Sequence, residues 1–166
     1  MPEQAPASRT GEGGMGGTVT SEQHDGEWDV VERGGAPQTL RVLLYSDHAE
    51  TREQVKLAVG RRIAKDLPPV EWVEVATPEI VIATVDAGGL DLLVLDGEAG
   101  KSGGIGLCRQ VKDEVYQCPP VLVLLGRAAD AWLASWAQPD GVVTRPLDPI
   151  AVQAAVAGLL RPASAA

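Results

Sequence analysis

The sequence contains no phenylalanine, and aromatic residues make up only 4% of it. Its core must therefore be built from Val, Leu, Ile and Ala, a composition that suits a buried parallel sheet. Long apolar runs are missing too: Leu92–Leu95 and Val121–Leu125 are far too short to cross a bilayer. The N-terminus has no basic segment followed by an apolar one. We therefore expect a cytoplasmic protein with no membrane contact.

Basic residues and cysteines are also scarce. Fourteen Lys and Arg stand against 23 Asp and Glu, for a net charge of −9 at pH 7. We expect no direct nucleic-acid partner, because neutralising phosphates requires clustered Lys and Arg. Cys108 and Cys118 lie near opposite ends of one predicted helix, roughly 15 Å apart at ~1.5 Å per residue. We expect reduced thiols that pack as small hydrophobes.

The composition changes near residue 38. Residues 1–38 are rich in Gly, Pro, Ser and acidic residues and have no sustained periodicity. We predict a disordered acidic, Gly-rich leader over 1–38, one folded domain over 39–161 and a frayed C-terminus over 162–166.

From Leu40 onward, short apolar strands alternate with longer helical patterns, which is typical of βαβ units. The strands are predicted at Leu40–Tyr45, Val70–Ala76, Leu90–Leu95, Val121–Leu125 and Gly141–Thr144, and the helices at about 49–65, 78–87, 104–115, 128–137 and 149–160. Five such units predict an α/β, flavodoxin-like doubly wound (βα)5 fold. Its five-stranded parallel sheet would have the order 2-1-3-4-5. The crevice of this fold lies at the carboxyl ends of strands one and three, where Asp47 and Asp96 would meet.

The glycine-rich stretch LVLDGEAGKSGGIGLC, residues 93–108, poses a choice between a nucleotide-binding loop and a reactive carboxylate. A P-loop requires its first glycine at position 95, which is Leu95. The glycines at 97, 100, 103, 104 and 106 also fail to form G-x-G-x-x-G. The carboxylate of Asp96 can instead act as a nucleophile towards a phosphoryl donor beside a divalent cation. Asp47, Asp96 and the backbone carbonyl of Glu98 could bind Mg²⁺.

These residues resemble the receiver domains of bacterial two-component response regulators, the family of the chemotaxis protein CheY. The resemblance spans about Leu40 to Leu160 and rests on RVLLYSD, LDLLVLDGEAGKSGGIGL, PPVLVLLGR and VVTRPLDP. It implies that Asp96 is the phosphoacceptor, that Asp47 belongs to the Mg²⁺ site and that Pro146 is the proline often preceded by a cis bond.

Three positions depart from the family pattern. Ser46 stands where an acid is usual, Leu125 where a hydroxyl residue is usual and Arg145 where a Lys is usual. The carboxylate missing at position 46 is expected to leave Mg²⁺ binding weak or absent. Arg145 can pair directly with Asp96 and hold the pocket in one state without phosphate. The side chain of Glu98 is expected to be a solvated loop acid, although it could reach the pocket.

Two functions of different class stay open. In the first, the chain is an atypical, orphan signalling receiver whose Asp96 is phosphorylated by a histidine kinase or a small phosphodonor. In the second, it is an adaptor that works without phosphorylation. A small enzyme is disfavoured, because the histidines are limited to His24 in the leader and His48, which we expect to border the pocket and face solvent.

The sequence ends soon after the fifth helix, so we expect output by contact with another protein. In the family, the usual contact face combines helix four, strand five and helix five. Helix four carries Trp132 and Trp136, which are either a core-facing wedge or an exposed anchor. Core packing is the favoured interpretation, because this short helix has few other large apolar residues.

Overall fold

The computed structural model describes residues 38–100 and 102–162, which lie in a compact unit that begins at Gln38. The predicted leader lies outside the described residues except for Gln38, and the predicted frayed C-terminus lies outside them except for Pro162.

Strands and helices alternate along the described residues, as the sequence predicts. They are β1 (Leu40–Tyr45), α1 (Ala49–Val59), β2 (Val70–Val75), α2 (Pro78–Ala87), β3 (Leu92–Asp96), α3 (Gly104–Glu114), β4 (Val121–Leu125), α4 (Ala131–Ala137), β5 (Gly141–Thr144) and α5 (Pro149–Leu160). All strand pairs are parallel, and the sheet order is β2-β1-β3-β4-β5. The predicted doubly wound fold is confirmed.

Two helices differ from their predicted bounds by more than one residue. The prediction that α1 reaches Lys65 is wrong, because Gly60 adopts φ 77° and donates its N–H to the carbonyl of Lys56 at 2.8 Å. A left-handed glycine in this position ends a helix. The predicted fourth helix is divided: Ala128–Asp130 form a 3₁₀ turn, and the α-helix begins at Ala131.

The core lies on both faces of the sheet. β3 and β4 are buried along their whole length, because helices cover them on both sides. Successive residues of a strand point to opposite faces of the sheet, so each strand contributes to the core on both faces. One face packs against α1 and α5, and the other against α2, α3 and α4.

The remaining sequence expectations concern thiols and membrane contact. Cys108 and Cys118 are both free thiols, and burial raises the pKa of Cys108 to about 11. The free thiols agree with the expectation of reduced cysteines, and the buried Cys108 packs as a small hydrophobe. Within residues 38–100 and 102–162, the helices are all too short or too polar to span a bilayer.

Candidate functional site

The carboxyl ends of β1 and β3 meet at one edge of the sheet, because the two strands pair side by side and run parallel. Ser46 follows β1 and is fully buried, while Asp96 ends β3 and is 1% exposed. Asp47 and His48 come next along the chain. One potential ligand atom from each of Asp47, His48 and Asp96 lies within 4.8 Å of the others. The predicted meeting of Asp47 and Asp96 is therefore observed.

Both carboxylate oxygens of Asp96 accept hydrogen bonds from the protein. The Ser46 hydroxyl donates to Oδ2 at 2.8 Å. The Glu98 backbone N–H donates to Oδ1 at 2.9 Å, and Arg145 Nη2 donates to the same oxygen at 3.2 Å. Burying a carboxylate is costly unless hydrogen bonds compensate for its lost hydration. The site thus compensates the charge of Asp96 with two side chains and one backbone N–H.

Arg145 follows β5 and precedes Pro146 across a cis peptide bond. Its side chain is 26% exposed, and the predicted pairing with Asp96 is present. The same Nη2 lies 3.5 Å from the Thr51 hydroxyl oxygen, which is a long contact. Nε is buried and has no acceptor, an arrangement that typically costs about 1–3 kcal/mol. The guanidinium therefore contacts the acid through one nitrogen and is not a bidentate clamp.

Ser46 is a hub of the site, although it carries no charge. Besides donating to Asp96, its hydroxyl accepts the His48 backbone N–H at 3.1 Å. Its carbonyl accepts a hydrogen bond from Arg52 Nη1 at 2.6 Å. A carboxylate here would repel Asp96, whereas the hydroxyl binds it. Ser46 thus makes a direct hydrogen bond to Asp96 where the family pattern has an acid.

Asp47 connects the site to the loop after β3. Its Oδ2 accepts the Gly100 backbone N–H at 2.8 Å, and its Oδ1 lies 2.8 Å from His48 Nδ1. The hydrogen bond from Gly100 lowers the pKa of Asp47, and His48 contributes in the same direction. The hydroxyl of buried Tyr45 donates to the Ser102 carbonyl at 2.8 Å. Two residues next to the site therefore anchor this loop.

The glycines of this loop allow close backbone packing and explain the motif without a nucleotide. A Cβ at Gly97 would lie 2.6 Å from the Leu124 carbonyl oxygen, and one at Gly104 would lie 2.7 Å from the Asp96 carbonyl oxygen. Real Cβ contacts are never this short, so both positions require glycine. Glycine is needed at these two positions because the loop passes close to the backbone of β3 and β4 and to the start of α3.

An open cleft of about 440 Å³ lies over Asp96. Its lining consists of His48, Thr51, Asp96, Glu98, Gly126 and Arg145. His48 is 67% exposed, as expected. Glu98 is exposed, as expected, but its carboxylate also packs against Gly126, where a Cβ would overlap it.

Leu125 occupies the position where the family pattern has a hydroxyl residue, and another residue, Thr51, brings a hydroxyl to the cleft. Leu125 is 1% exposed and packs in the core on the side of α2, α3 and α4, so it contributes no polar group. Thr51 lines the cleft and is not among the site residues predicted from the sequence. Its position in the first turn of α1, four residues before the buried Val55, is the signal that could have revealed it.

The donor set fits a divalent cation, with one carboxylate fewer than the family pattern. Asp47 and Asp96 offer oxygens within 4.8 Å of each other. Asp96 Oδ1 already accepts two hydrogen bonds, whereas Asp96 Oδ2 and the two Asp47 oxygens have one partner each and keep a lone pair for a cation. Mg²⁺ commonly binds to one or two carboxylates and completes its shell with water. The neutral Ser46 adds no charge to such a site.

The preference for core packing of the α4 tryptophans is wrong. Trp132 is 71% exposed and Trp136 is 56% exposed, whereas Ala134 and Ala137 are buried against the sheet. Small residues face the core, so the indoles lie on the outer side of the helix. The Arg109 guanidinium lies 5.5 Å from the Trp136 ring centroid, a cation–π contact. Trp132, Leu133 and Trp136 are hereafter the α4 surface.

Comparisons with known proteins agree with this fold and site. No family model matches the chain. It is 52% identical over 122 residues to an uncharacterized response regulatory protein of Mycobacterium tuberculosis, found in strains CDC 1551 and H37Rv, and the match covers 74% of this chain and 92% of the relative.

Solved structures of similar fold include two from other bacteria. The chemotaxis response regulator CheY4 of Vibrio cholerae has a TM-score of 0.61 at 17% identity, covering 74% of this chain and all of that one. The response regulator TrrA of Thermotoga maritima, in complex with Mg²⁺–BeF, has a TM-score of 0.60 at 21% identity, covering 73% and 99%. Together with the Mycobacterium relative, they establish that the chain belongs to the response regulators, as a receiver of two-component signalling.

Proposed function

We propose that this receiver accepts a phosphoryl group on Asp96 and passes the signal on by contact with another protein. One observation carries the proposal: Asp96 lies at an open cleft, with the Arg145 guanidinium 3.2 Å from one of its carboxylate oxygens and Asp47 nearby. A carboxylate beside a fixed cation and a second acid suits phosphoryl transfer.

In this reaction an Asp96 oxygen attacks the phosphorus of a phosphohistidine or of a small phosphodonor. The P–N or P–O bond to the donor breaks, a P–O bond to Asp96 forms and the leaving group takes up a proton if it needs one. Arg145 stabilises the charge on the transferred group, while the Glu98 N–H orients the carboxylate. Mg²⁺, held by Asp47, Asp96 and the backbone carbonyl of Glu98, would neutralise the negative charge that gathers there.

The α4 surface is the proposed contact for a protein partner, a histidine kinase or an effector. Receivers interact with kinases and effectors, and Trp is strongly enriched among residues that dominate binding energy. Trp132 offers the more exposed of the two indoles, since Arg109 partly covers Trp136. The cytoplasmic location and the orphan status expected from the sequence remain predictions.

A second candidate function is an adaptor that works without phosphorylation. It is favoured by one observation: the protein supplies three hydrogen-bond donors to Asp96, from Ser46, Glu98 and Arg145. A carboxylate that is already compensated in this way is a weaker nucleophile and needs no phosphate to hold the pocket together.

Intact mass after incubation with Mg²⁺ and acetyl phosphate distinguishes the two functions. We expect a gain of about 80 Da in the wild type and none in Asp96→Asn. Asp86→Asn is the matched control, because Asp86 is exposed on α2 and away from the cleft. It should gain the adduct like the wild type. No adduct in the wild type, together with failure of beryllofluoride and Mg²⁺ to bind, would overturn phosphoryl transfer and favour the adaptor.

A further inference from the structure

Arg145 borders two clefts. On one side it lines the cleft over Asp96. On the other it lines a groove of about 410 Å³ between α1 and the β5–α5 connection, hereafter the α1–α5 groove, whose lining consists of Gln54, Leu57, Ala58, Arg145, Pro146, Leu147 and Pro149. A movement of this one side chain therefore changes both surfaces.

The guanidinium lies between an acid and a hydroxyl. Arg145 Nη2 is 3.2 Å from Asp96 Oδ1 and 3.5 Å from Thr51 Oγ1. Thr51 is only 8% exposed, so its hydroxyl has little water to compete for the guanidinium. Arg145 Nε is buried without an acceptor, which leaves the side chain incompletely bound in its present position. A change of charge at Asp96 would shift a cation held in this way.

The usual position for a coupling hydroxyl, at the end of β4, holds Leu125 instead. Its side chain is buried and apolar, so it donates no hydrogen bond to a group on Asp96. Thr51 offers the hydroxyl from a different element, the first turn of α1. We propose that Thr51 is the positioning residue of Arg145, and that Arg145 transmits the state of Asp96 to the α1–α5 groove and not to the α4 surface.

The packing of the helices supports this direction. α1 and α5 lie on the same face of the sheet, and Gln153 Nε2 on α5 donates to the Ala58 carbonyl on α1 at 2.9 Å. α4 packs on the opposite face, beside α3. Thr51 and Leu57 belong to one helix, so a shift at the cleft reaches the groove through a continuous element. The inference deepens the proposed function, since phosphorylation is the change of state that it transmits.

The test is a double-mutant cycle followed by amide NMR shifts in the full-length protein. The variants are Asp96→Asn, Thr51→Val and the pair, and Thr51→Ser keeps the hydroxyl. In the wild type and in Thr51→Ser, Asp96→Asn should shift the amides of Gln54, Leu57 and Leu147. In the Thr51→Val background, the amide shift changes caused by Asp96→Asn should be at least about threefold smaller, because residues in one network couple.

Two results would overturn the inference. One is an equal effect of Asp96→Asn at the groove with and without the Thr51 hydroxyl. The other is a larger effect on α4, at Trp132 and Trp136, than at the groove. If Thr51→Val does not fold, the same cycle is run with Arg145→Lys, which keeps the charge but loses the planar fork. The cycle needs no phosphate, so a missing phosphoryl adduct would refute only the proposed function, and a cycle without coupling would refute only this inference.

Discussion

The cleft over Asp96 and the α4 surface violate the ordinary rules of burial in opposite ways. The cleft buries a carboxylate that is 1% exposed, while α4 leaves Trp132 71% exposed. Buried polar groups and exposed large apolar groups are the observations that mark function. In the cleft the buried carboxylate is held by hydrogen bonds, whereas the indoles of α4 lie at the surface, where we propose that a protein partner binds.

The largest expected effect is on the backbone that shapes the cleft. Gly104→Ala should lower the free energy of unfolding by about 3 kcal/mol, because the new Cβ meets the Asp96 carbonyl and must displace α3. Gly106→Ala is the matched control in the same helix: it is exposed, nothing lies within 4 Å of its Cβ, and it should stabilise by about 0.5–1 kcal/mol. Urea unfolding measures both. Equal effects of the two substitutions would contradict the close approach.

Removing the cation from the cleft should have the next largest effect. Arg145→Ala is expected to cost about 2 kcal/mol in urea unfolding, because Asp96 stays buried and loses a charged donor. Arg127→Ala is the exposed counterpart, since Arg127 is 79% exposed in its pair with Asp130, and should change stability by less than about 0.5 kcal/mol. A cost for Arg145→Ala as small as for Arg127→Ala would mean that Asp96 does not depend on the guanidinium.

The α4 surface should tolerate truncation better than the cleft. Trp132→Ala should change the free energy of unfolding by less than about 0.5 kcal/mol, as exposed substitutions do. Trp136→Ala should cost about 0.5–1 kcal/mol, because it loses the cation–π contact with Arg109. Thermal unfolding of the two variants side by side tests this order. A large loss for Trp132→Ala would indicate that the indole supports the fold.

The smallest expected effect is the pH dependence contributed by Asp47. The hydrogen bond from Gly100 lowers its pKa in the folded state, so its stabilising contribution is present above the unfolded pKa and disappears as the pH falls through the folded one. The difference in unfolding free energy between wild type and Asp47→Asn should hold at pH 7 and shrink below about pH 4. Urea unfolding at pH 7 and pH 3 checks the sign. A difference that grows on acidification would contradict it.

The strands were predictable to within two residues, but α1 and α4 were not predicted as accurately. Strand positions follow from short apolar runs, which parallel sheets bury on both faces. The end of α1 depends on the left-handed conformation of Gly60, although apolar residues continue beyond it with Ile63 and Leu67. The exposure of Trp132 was missed because the rule that large apolar residues are buried gives way where Ala134 already fills the space against the sheet.

By itself, the sequence determined the doubly wound fold, the meeting of Asp47 with Asp96 and the departures at positions 46, 125 and 145. These follow from local patterns and from the strand order that such patterns adopt. Only the tertiary structure decided that Arg145 reaches Asp96, that Thr51 lies beside both and that the indoles of α4 face outward. The physical reason is that side chains from distant positions, 96 from β3, 51 from α1 and 145 after β5, come within hydrogen-bond distance only once the sheet has ordered its strands.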